Sequence, residues 1–316
     1  MRPGERGTAA EQRANLRRAC EALRPLLDER ELVITHGNGP QVGNVLLRQE
    51  RAAQEAPPLP LYLAVAQTQA EIGALIESEL EPVAGRPVAC LLTHVLVADD
   101  DPAFAEPTKP VGPFYDEAKA RELERERGWQ VVHDAGRGWR RVVPSPLPLE
   151  VVEIDAIRAL LAAGTIVIAC GGGGIPATRR GAHLAGLDAV IDKDRASSLL
   201  ARELGADRLV ILTEVDAVSR DFGGSKQKEL RKLSVDEAEA LIPELAAGSM
   251  RPKVEASVEF VHATGHEALI TSPAALGEAL AGRAGTRIGG PPEPFAALLR
   301  TRLDNHRGEE ASNPCT

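Results

Sequence analysis

The chain has 316 residues, of which 43% are hydrophobic and 26% are charged; these fractions exclude a largely disordered protein and allow two lobes or one large α/β unit. Its net charge of −9 and its aromatic content of 3% argue against nucleic-acid binding, which usually needs a basic face and rings that stack on bases. No apolar run reaches the roughly 20 residues of a membrane span, and residues 1–7 lack the apolar segment of a secretory signal.

Helical patterns alternate with short apolar runs in the first hundred residues. Thr8 and Glu11 have the spacing of a capping box, and Pro40 suits the first turn of a helix. The predicted elements are a helix from Thr8, a strand over 31–35, a helix from Gln41, a helix over about 62–81 and a buried strand over 88–97.

Residues 100–148 differ from the rest of the chain, because prolines crowd both ends of this segment. Between them the sequence predicts one charged helix near 116–128. We therefore expect a small subdomain that protrudes from the main sheet.

A regular alternation of helices and strands follows residue 148. The predicted elements are helix 150–163, strand 165–170, strand 189–192, helix 195–204, strand 209–213, a helix near 235–246, helix 252–264 and strand 268–271. Such alternation indicates right-handed βαβ units. We predict an α/β fold with a mostly parallel sheet that is covered by helices on both faces.

Two glycine-containing loops, at 36–40 and 171–174, follow predicted strands. Ligands of open α/β sheets bind at the carboxyl ends of strands, where glycines let backbone N–H groups converge on an anion. Ordinary tight turns are the alternative. The second loop is not a P-loop, since no Gly-Lys-Ser/Thr follows, and not a GxGxxG motif, since Ile175 and Pro176 stand where a helix would begin.

Lysine is rare in this chain, with 7 Lys against 30 Arg. Lys109, Lys193 and Lys253 nevertheless lie beside Pro or Asp, as expected of compact cations that reach phosphate oxygens. Solvated surface lysines are the alternative. Asp194 follows Lys193 at a predicted strand-to-helix junction, where it caps the helix, orients lysines around a transferring phosphoryl group, or does both.

Two other side-chain groups are weaker candidates. Arg137, Arg140 and Arg141 cluster around Trp139, and a packed surface strand is favoured over an anion clamp. His262 and His266 have the i, i+4 spacing of metal ligands, but no Glu follows His262 as in an HExxH motif, so we predict no metal site.

The four cysteines lie far apart without a CxxC pair, at positions 20, 90, 170 and 315. This spacing disfavours a disulfide framework or a zinc site and predicts a reduced, cytoplasmic protein. Cys170 ends a predicted buried strand, and we expect an inert core thiol there.

Taken together, the motifs resemble those of the carbamate kinases, a branch of the amino acid kinase family. The matching stretches are 35–44 (THGNGPQVGN), 66–69, 101–104, 107–113 (PTKPVGP), 138–146, 171–176 (GGGGIP), 190–194 (VIDKD), 212–216 and 248–253. They run in the family's order from about residue 4 to 288, and the Thr-Lys-Pro stretch separates this branch from the acetylglutamate, aspartate and UMP kinases.

The resemblance implies a dimeric three-layer αβα sandwich that catalyses ADP + carbamoyl phosphate ⇌ ATP + carbamate with Mg²⁺. Lys109, Lys193 and Lys253 would neutralise the transferring phosphoryl group, and Asp194 would hold the lysines in place. The implied carbamate and phosphate contacts are Gly37, Asn38, Gly39, Gly171 and Gly172, and the implied nucleotide contacts are Thr213, Glu214, Val215, Asp216 and Met250. The implied lobes are 1–164 for carbamate and phosphate, with the protruding subdomain at about 100–148, and 165–288 for the nucleotide, followed by a flexible tail over 289–316.

The family also begins with a hydrophobic strand and a Gly-Gly-Asn loop that do not precede Arg2 here. We expect either a longer natural N-terminus or a sheet without one central strand. Two alternatives to a carbamate kinase therefore stay open: an inactive, N-terminally truncated nucleotide-binding homologue, and another kinase of this fold that forms an acyl phosphate. The resemblance also leaves open whether arginine, agmatine or purine breakdown supplies the substrate.

Overall fold

The computed structural model describes Glu5 and residues 7–134, 137–246 and 248–289. The described residues divide into two compact units, with the boundary between Leu204 and Gly205. The sequence predicted an earlier boundary, at 164/165. The difference arises because the strand that follows residue 165 pairs with strands from the first hundred residues. The tail predicted over 289–316 lies outside the described residues, apart from Gly289.

The first unit contains helices α1 to α6 and strands β1 to β10. The helices are α1 (Ala9–Ala22), α2 (Gly39–Ala52), α3 (Leu61–Ala84), α4 (Glu117–Arg127), α5 (Ile154–Ala162) and α6 (Lys193–Leu204). The strands are β1 (Val33–Ile34), β2 (Val88–Cys90), β3 (His94–Leu96), β4 (Lys109–Tyr115), β5 (Gln130–Asp134), β6 (Gly138–Val143), β7 (Glu150–Val151), β8 (Ile166–Ile168), β9 (Ile175–Arg180) and β10 (His183–Gly186). Short 3₁₀ turns lie at Arg24–Leu26, Pro102–Phe104 and Gly171–Gly173.

Strand β8 is buried on both faces, and this sets the layering of the first unit. It lies between β1 and β2 and is parallel to both. Because side chains alternate along a strand, Ile166 and Ile168 join a core with α1 and α3, whereas Val167 joins a core with α5 and α6. Helices therefore cover both faces of this sheet, as predicted.

The prediction of one strand over 88–97 is wrong. The structure divides this segment into β2 and β3, which belong to different sheets, the second with the order β10-β9-β3-β7. The break comes at Thr93, whose backbone N–H donates to Oε1 of Gln69 in α3 at 2.9 Å. The backbone N–H of Thr93 thus bonds to a side chain of α3 and not to a neighbouring strand, and the strand ends there.

Two further element predictions are corrected. Residues 189–192 form no strand, and the N–H of Val190 instead donates to the carbonyl of Pro144 at 3.0 Å. The segment predicted as helix 150–163 begins with β7, which pairs with β3, and becomes helical only at Ile154.

The segment 100–148 forms the predicted small subdomain. Its antiparallel sheet has the order β4-β6-β5, and α4 packs against β5 and β6. Arg140 and Arg141 lie in β6, as the surface-strand interpretation predicted, and their guanidinium carbons lie 4.9 and 4.6 Å from the ring centroids of Phe114 and Trp129.

The second unit is built on a mixed sheet. Its helices are α7 (Val235–Leu241), α8 (Met250–Thr264) and α9 (Leu276–Leu280), and its strands are β11 (Arg208–Leu212), β12 (Val218–Arg220), β13 (Lys228–Leu230), β14 (Lys232–Leu233), β15 (Glu267–Thr271) and β16 (Thr286–Ile288). The sheet order is β11-β15-β16-β14, with β11 and β15 parallel. Every residue of β15 is buried, and α8 packs against it. Among the described residues, no helix is both long and apolar enough to cross a membrane.

Candidate active site

Two loops meet where β1 and β8 end. Because the strands are parallel, their carboxyl ends lie at the same edge of the sheet, and the loops at 36–38 and 169–174 follow them there. The N–H of Gly172 donates to the carbonyl of His36 at 2.7 Å. A β-carbon at Gly171 would overlap the imidazole of His36, so this close approach requires glycine.

The glycine loop has a left-handed backbone. Cys170, Gly172, Gly173 and Gly174 all have positive φ, at 50°, 67°, 96° and 86°. The N–H groups of Gly173 and Gly174 donate within the loop, to Cys170 and Gly171. In the part of the chain that the structure describes, the N–H groups of Gly37, Asn38, Gly39 and Gly171 have no protein acceptor. These four donors are what the two loops offer to an oxyanion.

Helix α2 adds positive potential to the first loop. Asn38 is the residue before this 14-residue helix, but its side chain makes no capping hydrogen bond. Its Nδ2 instead donates to the buried Oγ1 of Thr68 in α3, at 2.9 Å. The first turn of α2 therefore keeps unsatisfied N–H groups and the partial positive charge of a helix N-terminus, which together favour an anion.

A cluster of two lysines and two aspartates lies in the same unit. Nζ of Lys109 is 2.7 Å from Oδ2 of Asp192, and Nζ of Lys193 is 2.6 Å from Oδ1 of Asp194. The two lysine side chains are 36% and 40% exposed, so both remain open to a ligand. The expectation that Asp194 caps α6 is corrected, because the helix starts at Lys193. The carboxylate of Asp192 accepts from the N–H groups of Asp194 and Arg195 at 2.9 and 3.4 Å.

The stem of Lys193 runs across the first glycine loop. A β-carbon at Gly37 would lie 3.0 Å from Cδ of Lys193, which places the lysine against this loop. The hydroxyl of Ser197 donates to the carbonyl of Lys193 at 2.7 Å. Oγ of Ser197 also lies 2.7 Å from Oγ1 of Thr35. Hydroxyl groups thus tie the start of α6 to the end of β1.

Two titratable groups of this region have shifted pKa values. Burial alone would raise the pKa of Asp192, but the charge and hydrogen bond of Lys109 and the two backbone N–H groups outweigh it, so the net shift is downward. Burial lowers the pKa of His36, only partly opposed by the carbonyl of Gly37, and the imidazole is therefore neutral at pH 7. The site thus combines fixed cations with a neutral histidine.

The remaining predicted site residues lie in the second unit. Residues 213–216 follow β11, where the N–H of Thr213 donates to the carbonyl of Thr271 at 2.9 Å. The carboxylate of Asp216 accepts from the hydroxyl of Ser272, which links the carboxyl ends of β11 and β15. Met250 begins α8, and Lys253 is buried one turn later.

Comparisons with known proteins show the family to which the chain belongs. The model of the "Amino acid kinase family" matches residues 6–272. The chain belongs to the amino acid kinase family. Its relatives include carbamate kinases of Halobacterium salinarum and Thermococcus kodakarensis, each 44% identical over 91% of this chain and over 94% and 95% of the relative. The resemblance stated from the motifs is confirmed.

Solved structures support the assignment of this chain to the amino acid kinase family. The carbamate kinase from Giardia lamblia bound to AMP-PNP is similar with a TM-score of 0.85 and 40% identity, over 92% of this chain and 94% of that one. An N-acetylglutamate synthase from Neisseria gonorrhoeae is similar with a TM-score of 0.54 and 19% identity, over 89% of this chain and 57% of that one, which shows the fold alone. The predicted three-layer αβα fold is confirmed.

Sequence reasoning missed part of the site of this amino acid kinase. Gln69 and Thr93 exchange two hydrogen bonds, of 2.9 and 3.1 Å, and Oγ1 of Thr93 accepts from the N–H of Cys170 at 3.1 Å. This buried network fixes the start of the left-handed loop. Its signal in the sequence was the polar run Gln67, Thr68 and Gln69, which interrupts the apolar first part of α3.

Two weaker candidates receive structural explanations. Nε2 of His262 lies 2.8 Å from a carboxylate oxygen of Glu239, and His266 follows the end of α8. Across the described ranges, no cluster of three His, Cys, Asp or Glu residues is placed to hold a metal ion. Cys170 is fully buried, and burial raises the pKa of its thiol, as expected of an inert core cysteine.

Proposed function

We propose that this chain is a carbamate kinase, which transfers a phosphoryl group reversibly between carbamoyl phosphate and ADP to give ATP and carbamate. The observation that carries this proposal is the pairing of Lys109 with Asp192 and of Lys193 with Asp194, beside a glycine loop at a helix N-terminus. Relatives with the name carbamate kinase share 44% of their residues with it over nearly their full length.

The chain's own residues would align and neutralise the phosphoryl group. We assign the binding of oxyanions to the N–H groups of Gly37, Asn38, Gly39 and Gly171, and a spacing role to Gly172, whose N–H already serves His36. The ammonium groups of Lys109 and Lys193 would offset the charge that spreads over the phosphoryl oxygens in the transition state. Asp192 and Asp194 would hold the two ammonium groups in place.

This reaction needs no general base. In the forward direction an anionic oxygen of ADP attacks phosphorus, the bond between phosphorus and the carbamate oxygen breaks, and carbamate leaves as an anion. No proton changes hands. The half-buried His36, whose pKa is lowered, fits this scheme, because it is not required to accept one. Catalysis then rests on positioning and charge neutralisation.

The nucleotide contacts of the second unit are also a proposal. We assign Thr213, Glu214, Val215, Asp216 and Met250 to nucleotide contacts, and Lys253 to the phosphates. Mg²⁺ would arrive as part of the nucleotide substrate, bound to its phosphate oxygens.

Further properties follow from the family resemblance and from the cysteines. We propose a homodimer that takes part in arginine, agmatine or purine catabolism. The described cysteines, Cys20, Cys90 and Cys170, are unpaired, which fits a reducing compartment, and we place the enzyme in the cytoplasm.

The test is the formation of ATP from ADP and carbamoyl phosphate in a coupled assay. We expect turnover with carbamoyl phosphate and none in the reverse assays with acetylglutamate, aspartate or UMP as phosphoryl acceptors. Turnover with one of these and none with carbamoyl phosphate would assign another acyl-phosphate kinase or a UMP kinase. A folded protein that binds ADP without turning over any of the four substrates would be an inactive homologue.

A further inference from the structure

The first unit contains a second cleft, which shares no lining residue with the site described above. Its volume is about 450 Å³, within the range of small-molecule pockets. It lies between α2, the chain that enters α3, and the β4-β6-β5 sheet of the small subdomain. The proposed reaction gives it no role.

Two arginines in this cleft keep unused hydrogen-bond donors. The guanidinium carbons of Arg127 and Arg141 lie 5.2 and 4.6 Å from the ring centroid of Trp129. Within the described ranges, neither guanidinium has a hydrogen-bonded carboxylate or carbonyl partner. Burial lowers the pKa of Arg141, and Arg127 adds to this effect while Asp188 and Tyr115 oppose it. The cleft thus holds two guanidinium groups with free donors, beside the carboxylates of Glu50 and Asp188.

The acidic groups of the cleft are already engaged. The hydroxyl of Tyr115 donates to Oε2 of Glu50 at 2.8 Å, and the backbone N–H of Leu61 donates to Oδ1 of Asp188 at 2.8 Å. The second of these bonds also satisfies the start of α3. The charged donors left for a ligand are those of the two guanidinium groups, whose planar fork matches a carboxylate or phosphate.

The other walls of the cleft are apolar. Leu46, Leu61 and Val111 line it together with the ring of Trp129. A bare inorganic ion would leave these walls and most of the volume unfilled. We propose that this cleft binds a small organic anion, with its charged group on Arg127 and Arg141 and its apolar body against the aliphatic wall and Trp129.

Tryptophan fluorescence tests this proposal directly, because the chain has 2 Trp residues and only Trp129 lines the cleft. In a Trp139→Phe background, Trp129 is the only tryptophan. We expect benzoate to change its emission saturably. Benzamide, which has the same ring without the charge, and inorganic phosphate, which has the charge without the ring, should each bind about tenfold or more weakly than benzoate.

Matched arginine variants decide whether the signal comes from the cleft. In the same background, Arg141→Gln should weaken benzoate binding about tenfold or more, and Arg127→Gln carries the same expectation if the first variant does not fold. Arg121→Gln is the control, since Arg121 stacks on position 139 outside the cleft and its loss should leave binding unchanged.

Three outcomes would overturn the proposal. Equal responses to benzoate and benzamide would show an apolar pocket without anion selectivity, and an Arg141→Gln variant that binds like its parent would place the benzoate elsewhere. Emission that depends on protein concentration, with no response to benzoate, would mean that a second copy of the chain covers the cleft.

Discussion

The Cα of Gly172 lies directly against the carboxamide of Asn38, where a β-carbon would overlap the side chain. Gly172 also has a φ of 67°, which side-chain-bearing residues rarely adopt. The carboxamide is itself fixed by its bond to Thr68. The two loops of the proposed site are thus interlocked through one glycine and one buried amide.

Replacing Gly172 with alanine should therefore destabilise the protein and disturb the site. The control is Gly181→Ala, because Gly181 has nearly the same φ, 62°, but open space around its Cα. Both variants carry the backbone strain, and only Gly172→Ala adds the overlap, which should cost about 1–3 kcal/mol more in the free energy of unfolding. Urea denaturation measures the difference, and KM for carbamoyl phosphate should rise only in Gly172→Ala. Equal unfolding free energies for the two variants would contradict the interlock.

The hydroxyl of Thr68 offers a second test. Thr68→Val keeps the shape of the side chain but removes the acceptor of Nδ2 of Asn38, and an unsatisfied buried amide costs about 1–3 kcal/mol. Ser78→Ala is the control, since its hydroxyl also bonds a carbonyl of α3 but is exposed. We expect lower stability and a raised KM in Thr68→Val and a nearly unchanged Ser78→Ala. If both variants unfold like the parent, the hydrogen bond between Asn38 and Thr68 does not stabilise the loop.

The sequence predicted the main features of the fold because they depend on local patterns. Strand β8 consists of three aliphatic residues that are buried on both faces, and α6 begins within the Asp-Lys-Asp segment. The break at Thr93 was not predictable in the same way, because it depends on a hydrogen bond to Gln69, 24 positions away in sequence. Side chains that replace ladder partners leave no trace in local periodicity.

The candidate site likewise contains residues that the sequence predicted and residues that only the folded chain reveals. Lys109 and Lys193 were singled out from their unusual composition and context, and the structure brings both into one cluster. The role of Asp192 was not identified, since only the folded chain shows that one carboxylate caps α6 and also binds Lys109, 83 positions away. Contacts of such long sequence separation require the tertiary structure.

The ammonium of Lys193 should contribute mainly to turnover. Lys193→Ala removes a positioned cation beside Gly37, and kcat should fall about 100-fold or more, because such a charge acts most strongly in the transition state. Lys226→Ala, on the exposed segment between β12 and β13, is the control and should turn over normally. Circular dichroism checks that both variants are folded. Full turnover in a folded Lys193→Ala protein would remove this residue from the proposed machinery.

The carboxylate of Asp192 should make stability depend on pH in the acid range. Its folded-state pKa is lowered, since Lys109 and two backbone N–H groups outweigh the effect of burial, so the carboxylate stabilises the fold fully above the unfolded pKa of about 3.9. This contribution is lost as the pH falls from there through the folded pKa, because the unfolded chain then binds the extra proton. The side chain that Asp192→Asn introduces cannot titrate, so the free energy of unfolding of this variant should fall less steeply than that of the parent below about pH 4. The two slopes should differ by at most about 1.4 kcal/mol per pH unit. Asp155→Asn is the control, because it removes only the exposed partner of Arg158, and its stability should fall with pH as steeply as that of the parent. An equally steep fall in Asp192→Asn would show that Asp192 does not cause the acid dependence.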